Sequence, residues 1–222
     1  MLEDLKQLVC KANKALKEYN LVKWTSGNVS YRDRESNRVI IKPSGVHFDA
    51  LNPEDMVVVD LDGNVIEGKL KPSVDTASHL YVYRQRDDIH CIVHTHSPFA
   101  TSFAIRGLDI PSYTTTAANI FKDNVPCSDF AAIGEEEVGK QIVDHIGESP
   151  AVLLRSHGVF TVGKDIEYAL KAAVILEETA EYAHYATLHK PDLMPLSKEV
   201  IASCNHFYRT SYGQEKQIIK KG

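Results

Sequence analysis

The sequence predicts an α/β sandwich, a sheet with mainly antiparallel strand signals covered by helices on both faces. Amphipathic helical stripes alternate along the chain with short apolar runs of strand length. The strand-like runs of the first third follow one another through turn and hairpin signals, as antiparallel neighbours do. No G-x-G-x-x-G stands at a strand-to-helix turn and no P-loop lysine motif occurs, so a parallel nucleotide-binding sheet fits less well.

Each element has its own local reason. Residues 2–18 set Leu2, Leu5, Leu8, Val9, Ala12 and Leu16 along one stripe, a helix that buries one face. Residues 25–33, TSGNVSYRD, open with Ser, Gly and Asn and read as a turn. Strand runs follow at 38–45 (RVIIKPSG) and 56–68 (MVVVDLDGNVIEG), the second folding back at Asp62-Gly63. Residues 72–86 offer Asp75 or Ser73 as an N-cap and Ala77, Leu80 and Tyr83 or Val82 as an apolar face, so a helix belongs there. Residues 89–97, IHCIVHTHS, read as a buried strand, and Ser97-Pro98 begins another helix with proline in its first turn.

Residues 112–130 are rich in turn formers. A helix is expected over 134–146, and two strands over 151–163, broken near His157-Gly158. Asp165 caps the longest helix, 166–190, which Pro191 stops, and a last helix spans 197–210, ending before Tyr212-Gly213.

Composition narrows the class. The 222 residues suit a single large domain, taken as 1–214 with a frayed basic tail at 215–222. Hydrophobic residues at 43% and charged residues at 25% are ordinary for a soluble globular chain. A formal charge of −5 argues against a nucleic-acid partner. Cys10, Cys91, Cys127 and Cys204 are scattered without metal-finger spacing, which suits reduced thiols in the cytoplasm. The acidic, amphipathic start is not a signal peptide, and no apolar run approaches a membrane span.

The chemistry concentrates around His94 and His96. On a strand they point to the same side, which permits chelation; the alternative is a pair of hydrogen-bonded, partly buried histidines. His157, where an apolar strand meets a glycine, would supply a third imidazole and leave a fourth position open, the arrangement of a catalytic zinc. Asp75 is the carboxylate candidate, to coordinate or to accept a proton, against the plain role of N-cap. His79 shares its helix face and is a rival ligand or a supporting partner. TSGNVS and KPSG combine hydroxyls with a glycine that can turn backbone N–H groups toward an anion, Lys42 adds charge, and Ser73 could add a hydroxyl and an N–H. The alternative for each loop is an ordinary turn.

The segments GNVS, KPSG, KPSVDTASH, IVHTHS, SHGVF and YGQ occur in an order that resembles the class II aldolase/adducin family, most closely its L-ribulose-5-phosphate 4-epimerases, with the L-fuculose-phosphate aldolases as a sister group. The likeness runs from about residue 2 to residue 214. It implies a three-layer α/β/α sandwich assembled as a homotetramer with active sites between subunits. It also implies a divalent metal, usually zinc with manganese or cobalt also suited, held by His94, His96 and His157 with Asp75. The phosphate of a sugar phosphate would lie against Gly27, Asn28, Ser44, Gly45 and Ser73, with Lys42 nearby and Val74 in place of a usual hydroxyl residue. Tyr212 matches a tyrosine that reaches a neighbour's site and transfers a proton.

The implied reaction is retro-aldol cleavage of C3–C4 in a phosphoketose, followed in the epimerase by re-addition through the other face of the aldehyde. The chain departs from the epimerase pattern at 114–127, where Asn119 replaces an aspartate that carries a proton and Ala117 replaces a histidine. Asparagine can hydrogen-bond a sugar but does not titrate near neutral pH. That departure, and a segment at 130–139 nearer the aldolase length, make an aldolase releasing dihydroxyacetone phosphate the rival reading, with Asp123 a substitute proton carrier if its loop folds inward. Asp75 itself is the epimerase-like choice, since the aldolases typically carry glutamate there. A phosphosugar dehydratase and a non-catalytic, adducin-like interaction module are the more distant alternatives.

Overall fold

The apolar runs resolve into one sheet. The computed structural model describes residues 2–213, and its strands are β1 (Asn28–Asp33), β2 (Arg38–Ile41), β3 (Val57–Val59), β4 (Val65–Glu67), β5 (Cys91–Thr95), β6 (Ala151–Leu154) and β7 (Gly158–Gly163). They lie in the order β4-β3-β2-β1-β5-β7-β6, each neighbouring pair antiparallel. The helices are α1 (Leu2–Glu18), α2 (Thr76–Gln85), α3 (Pro98–Arg106), α4 (Thr115–Ile120), α5 (Glu137–Ile146), α6 (Ile166–His189) and α7 (Lys198–Ser211). Met1 and residues 214–222, including the basic tail assigned to 215–222, lie outside the described residues. Among those described, no helix is long and apolar enough to cross a membrane.

Side-chain alternation along the strands divides the core in two. On one face, Val9 and Leu16 of α1 and Ala169 and Ala173 of α6 pack on Val29, Ile40, Val58 and Val93. That layer continues where Phe103 of α3 and Ala117 of α4 meet Leu153, Val159 and Leu176. On the other face, Leu80 and Tyr83 of α2 and Val138 and Ile142 of α5 cover Val39, Ile92, Phe160 and Val162. The result is the expected three-layer α/β/α sandwich with an antiparallel sheet.

Side chains cap the starts of α6 and α7. Asp165 Oδ1 accepts from Tyr168 N at 2.7 Å, and Ser197 Oγ accepts from Val200 N at 3.4 Å. The start of α3 is held differently: Ser97 makes no side-chain cap there, and the Glu177 carboxylate of α6 accepts from Phe99 N at 2.8 Å and Ala100 N at 2.9 Å. A charged acceptor thus meets the positive end of α3, just after His96.

Four expectations are corrected. The 25–33 stretch is not only a turn, because 28–33 forms β1 in the middle of the sheet. The turn-rich passage 112–130 contains α4, started by Thr114, whose Oγ1 accepts from Ala117 N at 3.1 Å. The helix expected from 134 begins at Glu137. Asp75 precedes α2 but does not cap it: its backbone is helical (φ −82, ψ −1), whereas a capping side chain needs an extended backbone, and its carboxylate turns elsewhere.

Candidate metal centre

The sheet register brings the site together. His94 pairs with Asn28 of β1 on one side and with Phe160 of β7 on the other. It shares a face with Ile92 and so points toward the α2 layer. His96 follows the end of β5, and His157 sits in the tight turn between β6 and β7, beside Ser156 at φ 58. Gly158 lets the turn close against β5: a Cβ there would stand 2.6 Å from both Thr95 O and His96 Cδ2.

The three imidazoles converge. Ring centroids are 4.8 Å apart for His94–His96, 4.8 Å for His94–His157 and 5.2 Å for His96–His157. One nitrogen from each ring lies within 4.8 Å of the others, and the Nε2 atoms of His94 and His96 are 3.0 Å apart. His94 Nδ1 faces the Val159 carbonyl at 3.0 Å, so it must donate, which leaves Nε2 with a free lone pair aimed at the cluster. Phe160 stacks on the same ring at 4.3 Å. His157 Nδ1 is buried without a partner. Burial pushes His94 down to about 3 and lowers His96 and His157 as well, so the rings are neutral, as ligands must be. Donor set, tautomer and unpaired nitrogen fit a divalent cation of the zinc type.

Asp75 stands beside this cluster rather than within it. Its Oδ2 accepts from Asn28 Nδ2 at 2.7 Å and from Ser73 Oγ at 3.3 Å. Burial opposes its charge, but the His94 and His79 rings and the Asn28 hydrogen bond outweigh that and hold the carboxyl below its ordinary value. His79 does not join the ligands either; it is fully buried behind them, with Nδ1 2.7 Å from Ser30 Oγ.

The anion loops open onto the same cleft. Ser73 N donates to Lys42 O at 3.0 Å and Ser44 N to Lys71 O at 2.9 Å, which ties KPSG to the start of α2. A cleft of about 260 Å³ is lined by Gly27, Asn28, Lys42, Ser44, Gly45, Ser73, Val74 and Asp75 together with all three histidines. Gly27, at φ +89, lies so close to β5 that a Cβ would come within 2.9 Å of His94 O. Lys42 is buried, donates to Thr25 O at 3.2 Å, and is lowered by burial to about 8, with Asp75 opposing the fall. Ile133 also lines the cleft, and nothing in its local sequence marked it.

Asn119 and Tyr212 are elsewhere. Both line a second cavity of about 800 Å³ with Tyr168, Lys171 and Tyr208, and neither lines the histidine cleft. The Asn119 carbonyl accepts from Asn205 Nδ2 at 2.9 Å, and Tyr212 stacks on Tyr208 at 4.5 Å. Asp123, a proton carrier only on the condition that its loop folds inward, is exposed and pairs with Lys198 at 3.6 Å.

Comparison with known proteins agrees with this geometry. The family described as "Class II Aldolase and Adducin N-terminal domain" matches residues 7–184. L-ribulose-5-phosphate 4-epimerase UlaF of Salmonella paratyphi A is 41% identical, aligned over 96% of this chain and 100% of its own. A solved L-fuculose 1-phosphate aldolase superposes with a TM-score of 0.86 at 31% identity, covering 93% of this chain and 96% of that one. The L-fuculose-1-phosphate aldolase of Thermus thermophilus does so with a TM-score of 0.73 at 27% identity, over 85% and 96%.

Proposed function

Because the chain belongs to the class II aldolase and adducin family, we propose that it is a metal-dependent phosphoketose enzyme that converts L-ribulose 5-phosphate into D-xylulose 5-phosphate by breaking and remaking C3–C4. One observation carries the reading: three neutral imidazoles converge in a cleft that is also lined by glycines, serines and a lysine. The full-length likeness to a 4-epimerase at 41% identity supports the choice of substrate.

His94, His96 and His157 would hold the cation, with Asp75 completing the set after turning from Asn28. We take the ion to be zinc, with manganese and cobalt also compatible with a His₃–carboxylate set. When bound, it supplies a Lewis acid for the charge that develops as C3–C4 breaks.

The protein's own groups do the rest. Backbone N–H groups around Gly27 and Gly45, the Ser44 and Ser73 hydroxyls and the Lys42 ammonium bind the phosphate and orient the sugar. Displaced by substrate, the Asp75 carboxylate instead takes a proton at its oxygen. Tyr212, from a neighbouring subunit, delivers one from the opposite side of the aldehyde, while Asn119 hydrogen-bonds the sugar without titrating. The placement of Asn119 and Tyr212 on a separate cavity supports a homotetramer in which each site draws on two subunits. We place the enzyme in the cytoplasm.

A second reading is aldol cleavage with release of dihydroxyacetone phosphate, favoured by Asn119, which cannot carry a proton, and by the likeness to L-fuculose 1-phosphate aldolase. Zinc-loaded protein is incubated with L-ribulose 5-phosphate and with L-fuculose 1-phosphate. Formation of D-xylulose 5-phosphate supports the first reading, and a trapped aldehyde supports the second. Turnover of neither by metal-loaded protein defeats both.

A further inference from the structure

A line of buried polar groups runs between the sheet and α2, behind the metal cleft. The Tyr83 phenol lies 2.7 Å from Ser30 Oγ, and that Oγ lies 2.7 Å from His79 Nδ1. Tyr83, Ser30 and His79 are all completely buried. The far end of the line, His79 Nε2, is buried with no partner.

Proton counting fixes the direction of this line. The three groups bring three protons: the phenol's, the hydroxyl's and one on the neutral imidazole. With the imidazole proton on Nδ1, His79 donates to Ser30 and Ser30 to Tyr83. The phenol proton, or the Ser30 proton where Tyr83 donates to that Oγ instead, is then stranded in the core, and Nε2 is stranded as an acceptor. With it on Nε2, Tyr83 donates to Ser30 and Ser30 to Nδ1, so that only the Nε2–H is left over. Each stranded buried group forfeits its hydration without a replacement, so the second arrangement, which strands fewer, is preferred. His79 therefore presents a donor, not a lone pair, which excludes it as a metal ligand.

The location of that donor suggests its acceptor. His79 lies one helical turn beyond Asp75, whose carbonyl accepts from His79 N at 3.1 Å. Its ring meets Phe160 edge-on at 5.3 Å, and Phe160 stacks on His94 at 4.3 Å. Burial lowers His79 to about 4, and the group that opposes this is the Asp75 carboxylate. Asn28 Nδ2 already holds Asp75 Oδ2 at 2.7 Å.

We propose that His79 is a positioning residue: its Nε2–H donates to the Asp75 carboxylate as this turns toward the three histidines, and so fixes the fourth ligand. The proposal rests on the metal reading given above. It extends that reading inward, through Ser30, to a tyrosine that never touches substrate.

Two measurements test it. In ¹⁵N-labelled, metal-free protein, imidazole NMR reads the His79 tautomer directly; Nε2-protonated is expected, and Nδ1-protonated overturns the proposal. Cobalt(II) binding, followed by visible absorption, then reads the metal site without catalysis. His79→Leu weakens binding about 10–100-fold, and His79→Gln, whose amide N–H reaches the same place, restores most of it. Ser30→Ala, which leaves the ring but removes the donor that pins its tautomer, weakens binding in the same direction, and circular dichroism checks that each variant is folded. In an Asp75→Asn background neither Ser30→Ala nor His79→Leu has a further effect. Equal losses in both backgrounds overturn the proposal and leave the metal reading intact, whereas unsubstituted protein that binds no cobalt defeats the metal reading and this proposal with it.

Discussion

Burial holds His79, His94, His96 and His157 below the ordinary histidine value, with consequences in acid. Against 6.5 for a free ring, His94 lies at about 3 and His79 at about 4. The unfolded chain therefore binds protons first. The histidine contribution is full above about pH 6.5 and declines as the pH falls toward the folded values, by the order of 2 kcal/mol each for His94 and His79 at about pH 5. Urea unfolding of metal-free protein should show a lower midpoint at about pH 5 than at about pH 7.5; equal midpoints contradict it. Lys42 works in the opposite range, because its charge is lost above about 8. Competitive inhibition by inorganic phosphate should weaken above that pH, and Lys42→Met should weaken it throughout and remove the pH dependence. At this scale the sequence was informative about identity: the i, i+2 spacing brings His94, on β5, and His96, just past its end, into one cluster. It was silent on orientation. Whether Asp75 caps α2 or faces Asn28 depends on β1, which packs there only in the folded chain.

Among the elements, β1 shows what a local pattern misses. Asn28, Ser30 and Arg32 look like loop residues, yet all three are buried on the α2 side of a central strand. Ser30 meets His79 and Tyr83, and Arg32 donates to the Tyr83 carbonyl at 2.6 Å, so polar groups on α2 make a polar strand acceptable in the core. No window of sequence contains both partners. β5, by contrast, was legible because its apolar run is buried on both faces. The turn between β6 and β7 was legible from His157-Gly158, and the glycine is demanded by contact with β5. Gly158→Ala should destabilise the protein by about 1–3 kcal/mol, since Thr95 O cannot retreat without moving its strand. The same change should displace His96 and reduce the metal content found by elemental analysis. A full metal complement with unchanged unfolding would contradict this.

The whole molecule separates what the proposed chemistry has to combine. The histidine cleft and the cavity of Asn119 and Tyr212 are distinct in one chain. If each site draws on two subunits, inactive His157→Ala and inactive Tyr212→Phe chains, unfolded and refolded together, should regain about one quarter of full activity, because a site needs one intact half from each kind. Refolding each alone should regain none; a mixture as inactive as its components contradicts shared sites. The three-layer architecture was readable from alternating periodicities, whereas this division came only with the family resemblance, which sets Tyr212 at a neighbour's site, because no local pattern says which residues share a cavity. The position of the ligands has another result. His94 belongs to β5 in the middle of the sheet, whereas His157 belongs to the hairpin that ends it. An ion shared between them would staple that outer hairpin to the interior, so metal loading should slow amide deuterium exchange at Leu154 and Val159 more than at β3 and β4 on the far rim.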